Sequence, residues 1–234
     1  MRKKTYLKII LSLLLLCLLL FGSYELMNAR SYQLFGNITN SIETDEKVVA
    51  LTFDDGPTKN VEQVLHLLQQ YNAKATFFLI GQDIEKFPEE TKAIIEADHQ
   101  VGNHTFSHAR MIFKSPTFMK EEIDKTDALI HEAGYKGEID FRPPNGKKLV
   151  FLPYYLKQKE KETITWNIEP DTFFTTPEEK IDYVLEEIHP GSIILLHPMY
   201  NQSGDELQVI EEILKALTEE GYRFVTVDDL QELE

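Results

Sequence analysis

The sequence predicts an α/β fold: a small, distorted or incomplete (β/α) barrel of about seven strands, preceded by an N-terminal apolar helix. Three observations predict it. Beyond residue 46, short β-branched and aromatic runs alternate with segments whose apolar residues recur at helical three-to-four spacing. Such alternation calls for parallel strands joined by crossover helices. Polar clusters fall directly after the expected strands, where parallel α/β folds carry their sites. An open doubly wound sheet is the competing arrangement.

Taken in order, Arg2, Lys3, Lys4 and Lys8 precede a nearly unbroken apolar run over residues 9–22. Residues 1–29 therefore read as a signal sequence or membrane anchor. The run is short for a span of about 20 residues, but nears that length when extended through Tyr24 and Met27. Met27-Asn28-Ala29 supplies only one of the two small residues of an A-x-A cleavage site, so an uncleaved anchor is preferred to a cleaved signal. The basic flank stays cytoplasmic in this reading, leaving the remainder extracytoplasmic. Residues 30–46 are polar without a period and read as a linker. Residues 47–234 form the expected domain. Strands are expected at 47–53, 75–80, 99–103, 137–141, 162–166, 192–196 and 223–227. Helices are expected from the spacing of Val61, Val64, Leu65 and Leu68, and over 88–97, 118–133, 177–188 and 206–220.

The formal net charge is −15, and because residues 1–30 hold five basic residues and one acid, residues 31–234 carry −19. A surface this acidic repels phosphate backbones, which argues against a nucleic-acid partner. Cys17 is the one cysteine and lies inside the apolar run, so no intramolecular disulfide forms.

Four clusters carry chemistry. Asp54 and Asp55 end a strand beside a Gly-Pro turn; adjacent carboxylates repel and favour a cation, although an Asp-Asp-Gly turn is also an ordinary solvated turn. His104 and His108 lie four apart, a spacing that puts both rings on one face of a helical turn within reach of one metal, and that also arises by chance on surfaces. Arg142 enters a Pro-Pro-Asn-Gly loop straight from a strand and can pair with a buried carboxylate, or serve as a surface residue beside a rigid turn. His197 closes a wholly apolar strand, where it is either a structural group or a general acid poised near neutrality.

Together these segments, TFDDGP, HTFSH, RPPNG and LLH, resemble the polysaccharide deacetylase family (the NodB-homology domain, carbohydrate esterase family four), over residues 47 to about 230. The resemblance implies a hydrolase that removes N-acetyl groups from a cell-wall or extracellular glycan, most simply peptidoglycan N-acetylglucosamine, releasing acetate. It implies Asp55, His104 and His108 as ligands of a divalent metal, zinc first, with cobalt or nickel as alternatives. It implies Asp54 as the base, Arg142 as the group that orients it, His197 as the acid, the backbone N–H of Asn145 as an oxyanion donor, and Leu195 as lining for the acetyl methyl. The family's D-x-x-D-W motif is poorly kept after Trp166; Asp171 is taken as the partner of His197, with Glu169 as the alternative. Asn145 stands where the family usually has an aromatic residue. An O-acetyl esterase or other amidase on the same fold, and a non-catalytic glycan-binding protein, are the competing functions. The implied partners are an acetylated glycan and, through the N-terminus, the membrane.

Overall fold

A computed structural model describes residues 2–233. Helix α1 (Arg2–Asn28) is exposed over most of its length, touches the barrel through its last residues, and is long and apolar enough to cross a membrane, with a mean hydropathy of 2.3 over an 18-residue window within Lys4–Asn28. The remaining elements are β1 (Ile38–Thr39), β2 (Val48–Asp54), α2 (Val61–Gln70), β3 (Thr76–Leu79), α3 (Gly81–Lys86), α4 (Pro88–Glu96), β4 (Gln100–Asn103), α5 (Pro116–Glu132), α6 (Phe151–Gln158), β5 (Thr163–Ile164), α7 (Pro177–Glu187), β6 (Ile193–Leu196), α8 (Asp205–Glu219), β7 (Arg223–Val225) and α9 (Val227–Gln231).

Every residue of β2 is buried, as a strand covered on both faces requires. One edge of β2 pairs with β6. The other pairs with β7 through its first half and with β3 through its second, and β3 pairs with β4, all in parallel. From β4 the ring continues through single parallel bridges, Asn103 to Phe141, Phe141 to Thr163 and Ile168 to Ile194, returning to β6. The barrel thus closes through isolated bridges rather than full ladders, an incomplete barrel. Between residues 137 and 141 only Phe141 bridges in this way, so the strand expected there shrinks to one residue. Crossover helices bury one apolar stripe each: Val61, Val64 and Leu68 on α2, and Val209, Ile210, Ile213, Leu214 and Leu217 on α8. Helices α5 and α7 begin at Pro116 and Pro177, behind Ser115 and Thr176, whose hydroxyls accept from backbone N–H groups of the first turn. Helices α3, α6 and α9 have no counterpart in the sequence expectations; all have eight residues or fewer, too short to carry a clear period, and α6 contains Pro153.

Residues 30–46 are not a free linker. Ile38 and Thr39 pair with β5, Ile42 is buried, and the Ile42 N–H donates to the Gly191 carbonyl at 2.9 Å. The apolar residues in that stretch are few, but they land on the barrel wall and strap it.

Candidate active site

The chemical clusters all fall at the carboxyl ends of parallel strands, on one rim. Asp54 is the last residue of β2, and Asp55 follows with φ 71°. That left-handed step turns the two neighbouring carboxylates in different directions. Asp54 lies in the floor, where its Oδ1 accepts from Arg142 Nη1 at 2.8 Å. Arg142 is wholly buried. It also donates to Thr52 Oγ1 (2.8 Å) and to the carbonyls of Thr165 (3.0 Å) and Ile164 (3.3 Å), and lies 4.0 Å above the Phe78 ring. Burial acts to raise the Asp54 pKa, but Arg142, His104 and His197 outweigh it and hold the carboxyl below its usual range. Asp54 is therefore an anion at neutral pH.

Asp55, His104 and His108 each bring one donor atom within 4.8 Å of the other two. Asp55 Oδ1 lies 3.3 Å from His108 Nε2 and 3.8 Å from His104 Nε2. Burial lowers the His104 pKa, so its ring is neutral. His104 Nδ1 lies 2.8 Å from the Arg142 carbonyl, which can only accept; the proton therefore sits on Nδ1, and the Nε2 lone pair faces the other two donors. Asp55 Oδ1 is buried with no hydrogen-bond partner in the protein. An orphaned carboxylate oxygen beside two imidazole nitrogens fits a divalent cation.

The two histidines do not share a helical turn, as their spacing suggested. They belong to an irregular loop in which Thr105 and His108 have φ 69° and 55°. Side chains and neighbouring backbone hold that loop. Asn103 Oδ1 accepts from the Thr105 N–H at 2.8 Å, the Gly81 N–H donates to the Thr105 carbonyl at 3.0 Å, and Glu122 accepts from both the N–H and the hydroxyl of Ser107. A β-carbon at Gly81 would collide with Phe106 and Thr126, so this close approach requires glycine.

His197 follows β6. Its Nδ1 lies 2.7 Å from Asp171 Oδ2, which also accepts from the His197 backbone N–H at 3.1 Å. Asp171 Oδ1 lies 2.8 Å from Lys180 Nζ, which in turn pairs with Glu206. Burial works against a charged His197 ring, but the Asp171 hydrogen bond and the charges of Asp54, Asp171 and Asp55 prevail and raise its pKa to about 9. Glu169, the alternative partner, instead accepts from Thr172 Oγ1 at 2.7 Å.

These groups surround a cavity of about 300 Å³ lined by Asp54, Asp55, His104, His108 and His197 together with Asn145, Leu195, Trp166, Glu169, Thr172 and Arg30. A larger groove of about 710 Å³ between α2 and α4 holds no comparable donor set among the described residues. Sequence reasoning passed over Thr52, Arg30, Lys180 and Glu206. For the last two there was a signal: each occupies the inward phase of an amphipathic helix, Lys180 one turn before Val184 and Glu206 ahead of Val209 and Ile210.

Residues 41–164 match the polysaccharide deacetylase family. The chain is 34% identical over 200 residues to a peptidoglycan-N-acetylglucosamine deacetylase of Bacillus cereus, covering 83% of this chain and 93% of that one. It is 32% identical to the peptidoglycan-N-acetylmuramic acid deacetylase PdaC of Bacillus subtilis, over 82% of this chain and 40% of that protein. The crystal structure of a peptidoglycan N-acetylglucosamine deacetylase is similar with a TM-score of 0.78 at 30% identity, over 83% of this chain and 92% of that one. A wild-type pseudoenzyme of the family from Bacillus anthracis is similar with a TM-score of 0.74 at 27% identity, over 83% and 68% of the two chains. The chain belongs to the polysaccharide deacetylase family, and its enzymatic class is glycan deacetylation.

Proposed function

We propose that this protein removes the N-acetyl group from peptidoglycan N-acetylglucosamine at the outer face of a membrane that α1 anchors, with zinc held by Asp55, His104 and His108. The observation that carries this reading is the gathering of a three-donor group, a buried anionic carboxylate and a carboxylate-paired histidine around one cavity. A divalent ion in the triad supplies Lewis acidity toward the acetyl carbonyl and acidifies a water molecule. Asp54 takes the proton of the attacking water, and Arg142 keeps that carboxylate ionised and fixed. The backbone N–H of Asn145 meets the developing oxyanion, and Leu195 receives the acetyl methyl. His197, protonated and oriented by Asp171, gives its proton to the departing amine, leaving a free amino sugar and acetate.

The direct test is acetate release from a panel of N- and O-acetylated glycans. Release from N-acetylglucosamine oligomers is expected, abolished by a chelator and restored by zinc, with His108→Ala lowering bound metal in parallel. Release that persists in chelator, or that comes only from O-acetyl esters, would overturn the reading.

The pH dependence has a defined sign. The acid form of His197 is the working form, so kcat/KM falls as pH rises through the His197 pKa, about 9 here and lower with a cation in the adjacent triad. Asp171→Asn replaces the charged acceptor that raises this pKa with a neutral amide and moves the alkaline limb to lower pH. Because the folded-state value is raised, the stability that His197 contributes is full below about 6.5 and lost as pH rises through the folded-state pKa. A pH–rate profile of the wild type and the variant checks both directions.

A further inference from the structure

Arg30 comes from outside the family match, two residues beyond the end of α1, yet it lines the catalytic cavity. The chain around it is fastened to the loop that carries Asn145. The Lys148 N–H donates to the Met27 carbonyl at 3.4 Å, the Lys147 and Lys148 ammonium groups bond Asn28 Oδ1 and the Ala29 carbonyl, and Thr165 Oγ1 donates to the Arg30 carbonyl at 2.6 Å. The Arg30 guanidinium lies 4.2 Å above the Trp166 ring, and its Nη2 donates to the Asn145 carbonyl at 3.3 Å. It rests in the space left by the missing side chain of Gly146, whose φ is +63°; a β-carbon there would collide with the guanidinium. A second arginine reaches the same residue: Arg110 Nε donates to Asn145 Oδ1 at 2.8 Å. Two arginines thus grip Asn145, one by its carbonyl and one by its side chain, while its backbone holds φ 55° and ψ 18°.

We propose that Arg30 is a positioning residue for the reaction: with Arg110 it clamps Asn145 in the left-handed conformation, so that the anchor-proximal segment completes the active site. This rests on the reading of Asn145 as the oxyanion donor. A neutral residue at position 30 removes the donor to the Asn145 carbonyl and leaves Arg110 as the one arginine on Asn145. Small misplacements of a group that meets the transition state lower turnover, while binding of the ground state is little affected.

The test uses the full-length protein, zinc-loaded in detergent micelles, acting on an N-acetylglucosamine tetramer. Arg30→Ala is expected to lower kcat by about tenfold to a hundredfold with KM within about twofold, unchanged zinc content and an unchanged pH profile. Arg30→Lys, which keeps a donor and a cation over Trp166, recovers part of the loss. Unchanged kinetics overturn the proposal. So does a defect confined to KM, which would make Arg30 a substrate contact, and so does a loss that follows zinc content or melting temperature without recovery by lysine. The clamp is also read without turnover, from the Asn145 backbone amide signal in asparagine-labelled protein. Arg30→Ala is expected to shift or broaden that signal, and an unmoved amide overturns the proposal even if the tetramer is not a substrate. A wild-type protein that releases no acetate from any glycan marks failure of the functional reading alone.

Discussion

Asp54→Asn lowers kcat by about 10²- to 10⁴-fold while leaving bound zinc unchanged. The magnitude is that of a lost general base. Asparagine has the same shape and keeps an oxygen that can accept from Arg142 Nη1, now 2.8 Å from the Asp54 carboxylate, so the floor of the cavity stays in place. What it lacks is an anion able to take a proton. Asp55, the neighbouring carboxylate, cannot substitute, because its left-handed backbone turns it toward His104 and His108 instead. Acetate release from an N-acetylglucosamine oligomer and zinc content, measured on the same preparation, decide the outcome. Turnover near that of wild type would remove Asp54 from the mechanism. Loss of turnover together with loss of zinc would assign Asp54 to the metal.

Arg142→Leu destabilises the fold by about 3–5 kcal/mol as well as abolishing activity. Removing one member of a buried ion pair leaves the other charged and without its counterion, and that is the cost in this range. Here the nearest remaining group to Asp54 is the neutral His104 ring, whose Nε2 lies 3.5 Å away and carries no proton to offer. The carbonyls of Ile164 and Thr165 and the hydroxyl of Thr52 also lose a donor. The sign with pH follows. The depressed Asp54 pKa of the wild type contributes stability above its unfolded value of about 3.9, lost as pH falls through the folded-state value. In Arg142→Leu that contribution disappears, so the gap between the two proteins is widest near neutrality and narrows in acid. Urea unfolding at several pH values measures it. A variant as stable as wild type at pH 7 would show that Arg142 and Asp54 do not depend on each other.

Much of this was legible in the sequence because strand ends and chemistry coincide. Asp54 and Asp55 close β2, His104 follows β4, His197 follows β6 and Arg142 follows the bridging residue Phe141, and parallel strands bring their carboxyl ends to one rim whatever the helices do. The reason the histidines meet was misread. A spacing of four suggests a helix, whereas the observed loop depends on Asn103, Glu122 and a close approach at Gly81, contacts that no local pattern announces. After Trp166 the sequence left Asp171 and Glu169 as alternatives; the geometry sets Asp171 against His197 because Lys180 and Glu206, from two later helices, hold its other oxygen in place. Residues 30–46 look like a linker because their burial is earned against distant partners, Gly191 and β5, rather than by any periodicity of their own.

Three residues lining the cavity, Asp55, His108 and Asn145, and Thr105 in the loop between His104 and His108, hold left-handed backbone although none is glycine. Thr105 is the most unusual of them, since β-branched residues rarely adopt that region. Such conformations cost on the order of 1–3 kcal/mol each, against a net stability of about 5–15 kcal/mol for a whole domain. The barrel is therefore less stable than its core alone would make it, and among the described residues half of the eight non-glycine residues with left-handed backbone stand at or beside the cavity. Selection for heat resistance would find ready gains at these positions by relaxing them, and each gain would blunt the enzyme. Robust descendants of this chain should accordingly carry their improvements on the far side of the barrel and leave the rim as strained as it is now.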